Sequence, residues 1–293
     1  MTEQSEPAEL PRGIALAWGV AAEPQRGPKR EMSVERIVDA AVELADAEGL
    51  AAVSMAAVAA RLGYTPMSLY RYVSAKDDLT LLMQEAAIGI PPESLAQADG
   101  WRARLEAYYD ALLSAYLEHP WILGLPANSL MATPHAAAWL DAALAALAPT
   151  PLDDDARLAV ALLVSGSARW HGEVMADLLG QVRANGGTIA DAYPDLRRAI
   201  DSGALASDSD PFRYGLDRVL DGVAVEIDRL VAGGAPAPVS APGDDDSDAL
   251  ADKRYREARK AVREAEKALR AARTQQRHVL RDARERLGRR AGA

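Results

Sequence analysis

Apolar residues recur at three- and four-residue intervals along most of the chain, which is the spacing of amphipathic helices. The first clear segment is 33–48, which opens on Ser33, a good N-cap, and ends before Gly49, a good helix terminator. Its apolar face consists of Val34, Ile37, Ala41, Leu44 and Ala45. Further helical patterns cover 77–90, 101–117, 135–147, 153–179 and 212–230. Because alanine is abundant and β-branched runs are scarce, the chain is predicted to be all-α.

Two short helical segments follow the first one, and their spacing is that of a helix-turn-helix. Ser54 is a suitable N-cap for the first segment, and Gly63 suits its end. Thr65 and Pro66 then stand at N-cap and N1 of the second segment, which is predicted to reach about Tyr72. In a helix-turn-helix the second helix enters the major groove of DNA with its N-terminal residues toward the bases. The pattern therefore predicts a DNA-binding domain.

The stretch 63–79 resembles the most distinctive part of the TetR family of transcription regulators. The matching positions are the turn glycine Gly63, the run Leu69-Tyr70-x-x-Val73, and Lys76-x-x-Leu79. The similarity extends over about 33–82, and 101–121 is similar to the effector domain of the branch closest to the tetracycline repressor. The resemblance implies an N-terminal three-helix helix-turn-helix domain, followed by a helical domain for effector binding and dimerisation.

The recognition helix supplies most of the candidate DNA contacts. Arg71 is its only strong donor to bases or phosphates, and Ser68 can hydrogen-bond to either base type. The resemblance implies phosphate contacts for Tyr70, Tyr72 and Lys76. The full set of candidates in this region is Ser54, Thr65, Pro66, Met67, Ser68, Tyr70, Arg71, Tyr72 and Lys76.

One departure from the family lies just after Ser54, where a basic residue is common and this chain has Met55. The departure weakens the expectation of a strong phosphate contact from the helix that Ser54 caps. Upstream, Lys29 and Arg30 can substitute as an arm in the minor groove. A solvated basic linker explains these two residues equally well.

Charge is distributed unevenly, which changes how the net value of −10 is interpreted. From Leu250 onward the chain holds 15 Lys and Arg against 6 Asp and Glu, whereas the first 249 residues hold 18 against 37. A DNA contact rests on a few well-placed groups, so the acidic total does not exclude nucleic acid as a partner. Cysteine is absent, which excludes disulfides and thiolate zinc sites. A cytoplasmic location without a membrane span is expected, because neither a signal core nor an 18-residue apolar run is found.

Composition divides the chain into five predicted parts. They are an N-terminal extension at 1–31, the helix-turn-helix domain at 32–80, an effector-binding and dimerisation domain at 81–232, a flexible linker at 233–248, and an Arg-rich helical extension at 249–293. In the last part, apolar residues from Tyr255 to Ala283 follow heptad spacing. This long charged helix is predicted to pair with another helix. Docking on the acidic body, or a free helix that adds non-specific DNA affinity, are the alternatives.

No catalytic or metal-binding pattern is found in the sequence. The four histidines, at positions 119, 135, 171 and 278, form no close metal pair. There is also no Gly-x-Ser-x-Gly, no phosphate-binding glycine loop and no cysteine nucleophile. The chain is therefore predicted not to be an enzyme and to use no cofactor or metal.

Large adaptable apolar groups, accompanied by a few polar ones, favour a small-molecule site after residue 81. The candidate effector contacts are His119, Trp121, Asn128, Met131, Trp139, Trp170, His171 and Met175. The alternative is that most of these side chains belong to the core.

Two segments, 153–179 and 212–230, resemble the dimerisation helices of the family. The second has a seam formed by Phe212, Leu216, Val219, Val223, Ile227 and Leu230. The seam can serve a partner or the protomer's own core. The prediction as a whole is a homodimeric regulator, by family default a repressor, that binds a palindromic operator and is released by an unknown small-molecule effector. The alternative is a DNA-binding or partner-binding helical module without an effector.

Overall fold

The computed structural model describes residues 10–20, 32–126, 133–189, 193–203, 210–235 and 252–265, with six single positions beyond these, as far as 279. Of the sequence-predicted contacts, Lys29, Arg30, Asn128 and Met131 lie outside the described residues. The chain divides into two compact units, Met1–Pro236 and Ala237–Ala293. The regular elements within the described residues are helical, so the all-α prediction is confirmed.

Among the described residues, five helices form the N-terminal part of the first unit. They are α1 (Arg12–Ala17), α2 (Val34–Glu48), α3 (Met55–Leu62), α4 (Pro66–Leu69) and α5 (Lys76–Ile88). The caps follow from the local sequence, since the Ser33 hydroxyl accepts from Arg36 N at 3.3 Å and the Ser54 hydroxyl from Ala57 N at 3.1 Å. Gly63 ends α3 in the left-handed region, with φ of 76°, a conformation that glycine adopts without steric cost.

The recognition helix α4 is shorter than predicted. It ends at Leu69 rather than near Tyr72, and residues 70–72 continue as a turn. In that turn Tyr72 N donates to Leu69 O at 2.8 Å, a three-residue spacing that tightens the chain. Thr65 precedes α4 as predicted, but its hydroxyl contacts the Ser68 hydroxyl at 2.9 Å and does not cap a backbone N–H.

The described residues in the rest of the first unit form five more helices. They are α6 (Gly100–Glu118), α7 (Pro134–Leu147), α8 (Asp154–Ile189), α9 (Pro194–Asp201) and α10 (Pro211–Val231). Short 3-10 turns lie at Leu50–Ala52, Glu93–Gln97 and Pro120–Gly124. Helix α6 packs along α8 and α7, and α5 contacts α2, α6 and α7. Helix α5 therefore belongs to the packing of both the helix-turn-helix and the C-terminal helices.

One apolar core runs through both halves of the first unit. Leu79 and Met83 of α5 are fully buried. Ile37 of α2 and Tyr109 of α6 are also fully buried and belong to the same core. Helix α1 also packs against α5, where Gly13 N donates to the Asp78 carboxylate at 3.0 Å. A Cβ at Gly13 would lie 2.8 Å from the Asp78 carboxylate and 3.1 Å from Asp78 Cα, so a larger residue here requires α1 or Asp78 to shift. The position of α5 is thus fixed from several sides.

The apolar seam of α10 faces the protomer's own core. Leu216 is buried, and Val223, Ile227 and Leu230 pack against the core cluster. Because Val223, Ile227 and Leu230 are only half-buried, a dimer contact through this seam stays a prediction.

In the second unit, the described residues form a helix from Lys253 onward, and Tyr255 N donates to the Asp252 carboxylate at 2.9 Å. The apolar heptad positions Tyr255, Val262 and Val279 are exposed. The pairing with another helix that is predicted for this segment stays a prediction.

Candidate DNA-binding surface and ligand cavity

Helix α4 has one buried face and one face exposed to solvent. Leu69 and, just beyond the helix, Val73 are fully buried and anchor the segment to the core of the helix-turn-helix. On the opposite side, Met67 is 76% exposed and Tyr70 is 46% exposed. An exposed face of this kind on a firmly anchored second helix is the geometry with which a helix-turn-helix meets the major groove.

The polar DNA-contact candidates border the same face. Thr65, Pro66 and Arg71 are exposed, and Ser68 and Tyr72 are half-buried. Ser54 is exposed at the start of α3, and Lys76 is exposed at the start of α5. Within the described residues, neither Arg71 nor Lys76 takes part in an ion pair, so both cations can meet phosphates. Their contacts with DNA stay predictions.

A cavity of about 220 Å³ lies among four helices of the C-terminal part. Its wall is mainly apolar, with Leu81 and Ile88 from α5, Leu112 from α6, Trp139 from α7 and Leu162 from α8 among the lining residues. The polar members of the wall are Gln84, Glu85, Tyr108, Tyr116, Thr133, Ser165 and Arg169. An apolar cavity with a few convergent polar groups is the usual form of a small-molecule site.

Most of the polar groups in this wall are already hydrogen-bonded. The Ser165 hydroxyl donates to Ala161 O at 2.7 Å and therefore accepts from the Tyr108 hydroxyl, also at 2.7 Å. Burial raises the pKa of Tyr108 to about 12, so its phenol stays neutral at ordinary pH. The Arg169 guanidinium donates to the carbonyls of Leu123 and Leu125 at 2.8 and 2.6 Å.

Glu85 is the buried carboxylate of the wall, with 8% of its surface exposed. Its Oε1 accepts from His135 N at 2.6 Å, at the first turn of α7. The His135 ring donates from Nδ1 to Glu85 O at 2.8 Å. Two hydrogen bonds therefore join α5 to the start of α7 at the edge of the cavity.

The structure places Trp139 in the cavity wall, where its indole N–H donates to Gly89 O at 2.9 Å. His119 and Trp121, by contrast, do not line this cavity. His119 Nδ1 and Trp121 Nε1 both donate to Asp46 Oδ1 of α2, at 2.8 and 2.7 Å. These two predicted effector residues therefore form a bridge between the turn after α6 and the helix-turn-helix.

The remaining predicted effector residues lie on α8, also outside the cavity wall. His171 is buried, a hydrogen bond of 2.8 Å joins its Nδ1 to the Tyr109 hydroxyl, and its ring stacks on Phe212 at 4.4 Å between centroids. Burial lowers the pKa of His171 below its ordinary value, which favours the neutral ring. Trp170 and Met175 are exposed, at 62% and 47%.

Sequence reasoning missed most of the polar side chains in the wall. Glu85 and Arg169 look like ordinary surface charges on amphipathic helices, and Tyr108 and Tyr116 look like core aromatics. A weak signal was available in Glu85, a single acidic residue within the apolar second half of α5. The partners that give these residues their positions are distant in sequence, as in the Glu85–His135 pair.

Two further features narrow the kind of protein. Within the ranges that the structure describes, no cluster of three or more His, Asp or Glu side chains is arranged to hold a metal ion. No helix among the described residues is long and apolar enough to cross a membrane. An exposed recognition helix that is anchored to the core, together with further helices that share α5 with it, defines a helix-turn-helix DNA-binding protein.

Comparison with known proteins agrees with this class. The model of the bacterial regulatory proteins of the tetR family matches residues 37–83, and that of the tetracyclin repressor-like C-terminal domain matches 93–227. The HTH-type transcriptional repressor DrrR1 of Streptomyces coeruleorubidus is 35% identical over 254 residues, which cover 80% of this chain and 93% of that protein. An HTH-type transcriptional regulator of Saccharopolyspora erythraea is 31% identical over 207 residues, covering 70% and 86%. The chain therefore belongs to the TetR family of transcription regulators.

A solved structure shares the fold. The Streptomyces coelicolor TetR family protein ActR, in complex with (S)-DNPA, is similar with a TM-score of 0.55 and 21% identity. The match covers 67% of this chain and 99% of that chain. The relatives found are transcription regulators rather than enzymes.

Proposed function

We propose that this TetR family member is a cytoplasmic, ligand-responsive repressor that binds an inverted-repeat operator as a homodimer. The observation that carries the proposal is the position of α5. It begins at Lys76, next to the recognition helix, and further along it contributes Leu81, Gln84, Glu85 and Ile88 to the cavity wall. A ligand that shifts this helix changes the position of the recognition helix.

Similarity to characterised proteins supports both halves of the proposal. DrrR1 is a repressor by its name. ActR of Streptomyces coelicolor forms a complex with (S)-DNPA, which supports a ligand response for a protein of this fold. Ligand control requires that the effector bind the DNA-competent and the DNA-incompetent conformations with different affinities. The cavity wall includes residues of α5, so a bound ligand can favour one position of this helix over another.

Dimerisation is proposed to use α8. Its exposed apolar side chains include Leu158, Leu162, Leu163 and Trp170, which lie on one continuous arc of the helix. Gly166 also lies within this arc, but Leu162 and Gly166 border the ligand cavity as well, so the partner is expected to contact mainly Leu158, Leu163 and Trp170. An apolar stripe of this size on a DNA-binding protein indicates an interface between copies.

The DNA half is tested by repeated selection of bound duplexes from a random pool. The proposal expects an enriched inverted repeat whose half-sites lie about 10 base pairs, or a multiple of that, from centre to centre. The proposal also expects that two protomers bind each pair of half-sites, a stoichiometry that sedimentation of the complex measures. Enrichment of no sequence, or of an unsymmetrical one bound by a monomer, would contradict the proposal.

The dimer surface is tested with two matched variants. Leu163→Arg places a charge in the proposed interface, whereas Leu117→Arg changes a side chain of similar exposure on α6, 49% against 52%. We expect the first variant to sediment as a folded monomer with weakened operator binding, and the second to remain dimeric. A dimeric Leu163→Arg protein would place the interface elsewhere.

A further inference from the structure

The cavity wall contains a carboxylate oxygen without a partner. Glu85 Oε2 is buried and has no hydrogen-bond partner among the described residues. Oε1 of the same carboxylate is already occupied by the N–H of His135. A carboxylate removed from water is costly unless a charge or a hydrogen-bond donor satisfies it. Glu85, a residue of the cavity wall, therefore has a carboxylate oxygen without a partner, which a ligand can reach once the side chain turns toward the cavity.

The neighbouring polar groups do not fill that position. The Tyr108 hydroxyl is directed to Ser165. Arg169 is held away by the carbonyls of Leu123 and Leu125, and its Nε lies 3.2 Å from the Glu173 carboxylate, which neutralises its charge. The His135 ring balances Glu85 only when it is protonated, and its Nδ1 lies 3.6 Å from Oε1.

We infer that the cavity accepts a compact organic cation, with an aromatic or aliphatic body and an ammonium group that donates to Glu85. The inference rests on the proposed function, since it names the ligand class of the proposed effector site. Trp139 in the wall favours such a ligand, because an aromatic ring attracts a cation as well as an apolar body. The volume of about 220 Å³ limits the part of the ligand that is enclosed to a small group.

The same contact gives the cation a route to the DNA-binding surface. Glu85 joins α5 to α7 through His135 N. An ammonium group that takes up the carboxylate competes with this N–H, and the side chain rotates toward the ligand. Binding therefore acts on the helix that continues from the recognition helix, and no second site is needed.

The test uses three probes that share one aromatic body and differ only in the head group. They are 2-naphthylmethylammonium, 2-naphthylmethanol and 2-naphthoate, titrated into the full chain by calorimetry without DNA. We expect the ammonium probe to bind at least about 10-fold more tightly than the alcohol, because a hydrogen bond to an ionised partner is stronger than a neutral one. The carboxylate probe is expected to bind most weakly.

Two variants assign the preference to one residue. Glu85→Gln keeps the shape and the acceptor for His135 N but removes the charge, and it should abolish the preference for the ammonium probe over the alcohol. Glu118→Gln removes an equal charge from an exposed position at the end of α6 and should leave the preference intact. If Glu85→Gln does not fold, the relative affinities of the unaltered chain for the three probes still test the inference.

Each outcome has one meaning. The inference is overturned if the ammonium and alcohol probes bind equally well, if the carboxylate probe binds more tightly, or if no probe binds. It is also overturned if the preference for the ammonium probe survives in Glu85→Gln. The effect of the ammonium probe on operator affinity is measured separately. If that probe binds through Glu85 and leaves operator affinity unchanged, the proposed ligand response fails while the assignment of the cation site stands.

Discussion

The bridge between α2 and the turn after α6 provides a quantitative prediction. Asp46 Oδ1 accepts from both His119 Nδ1 and Trp121 Nε1. A net hydrogen bond contributes about 1 kcal/mol, and more to an ionised acceptor, while a buried donor left without a partner costs about 1–3 kcal/mol. Trp121 is 8% exposed, and the Asp46 side chain is 34% exposed, which reduces the gain through solvent screening. We expect Asp46→Ala to lower the free energy of unfolding by about 2 kcal/mol.

Thermal unfolding measures this loss. For a unit of this size, about 2 kcal/mol corresponds to a fall in Tm of about 4–8 °C. Asp39→Ala is the control, because Asp39 is an exposed carboxylate on the same helix, and it should change Tm by less than about 1 °C. Asp46→Asn keeps one acceptor oxygen and should fall between the two. If Asp46→Ala unfolds at the same temperature as Asp39→Ala, the bridge does not hold the two parts together.

Three further predictions concern local structure. Gly13→Val should release α1 from α5, because its Cβ would lie 2.8 Å from the Asp78 carboxylate, and limited proteolysis should then cut within 10–20. Gly63→Ala should lower the free energy of unfolding in urea by about 1 kcal/mol, since φ is 76° there. Burial raises the pKa of Tyr108 and of Tyr109 to about 12. Between pH 10 and 12 the unfolded chain therefore loses these protons first, so stability should fall with rising pH. Burial also raises the pKa of Tyr116, so at least three phenols should ionise late by ultraviolet absorbance.

The local features of the helix-turn-helix were predictable because they depend on neighbours in the sequence. Ser33 and Ser54 cap their helices as expected, and Gly63 turns the chain between α3 and α4. The end of α4 was placed too late, since Tyr70 and Tyr72 have helical spacing but belong to a turn. The family pattern identifies the residues of the recognition helix, but it does not specify which hydrogen bonds form at the end of α4.

In the C-terminal part the helices could be predicted from the sequence, but the residues of the ligand cavity could not. Glu85 and His135 are 50 residues apart, and Asp46 and Trp121 are 75 apart, so no local pattern indicates either contact. Periodicity identified the apolar face of α10 correctly, but it cannot tell whether such a face meets the protomer's own core or a partner. In the protomer Leu216 and Leu220 are buried in the core, whereas Val223, Ile227 and Leu230 are half-buried, so this face can serve both.

The most direct test of the account is the operator affinity of Arg71→Ala and Lys76→Ala over a range of salt concentrations. Arg71→Ala should weaken binding by about 1–3 kcal/mol and relax the preference for bases at one position. Lys76→Ala should weaken binding to all sequences alike and reduce the salt slope by about one charge. Arg198→Ala, which removes an exposed cation from α9, is the control. If the Arg71 and Lys76 variants bind like the control at every salt concentration, α4 is not the surface that reads DNA, and the account of this protein as a regulator acting through α4 is wrong.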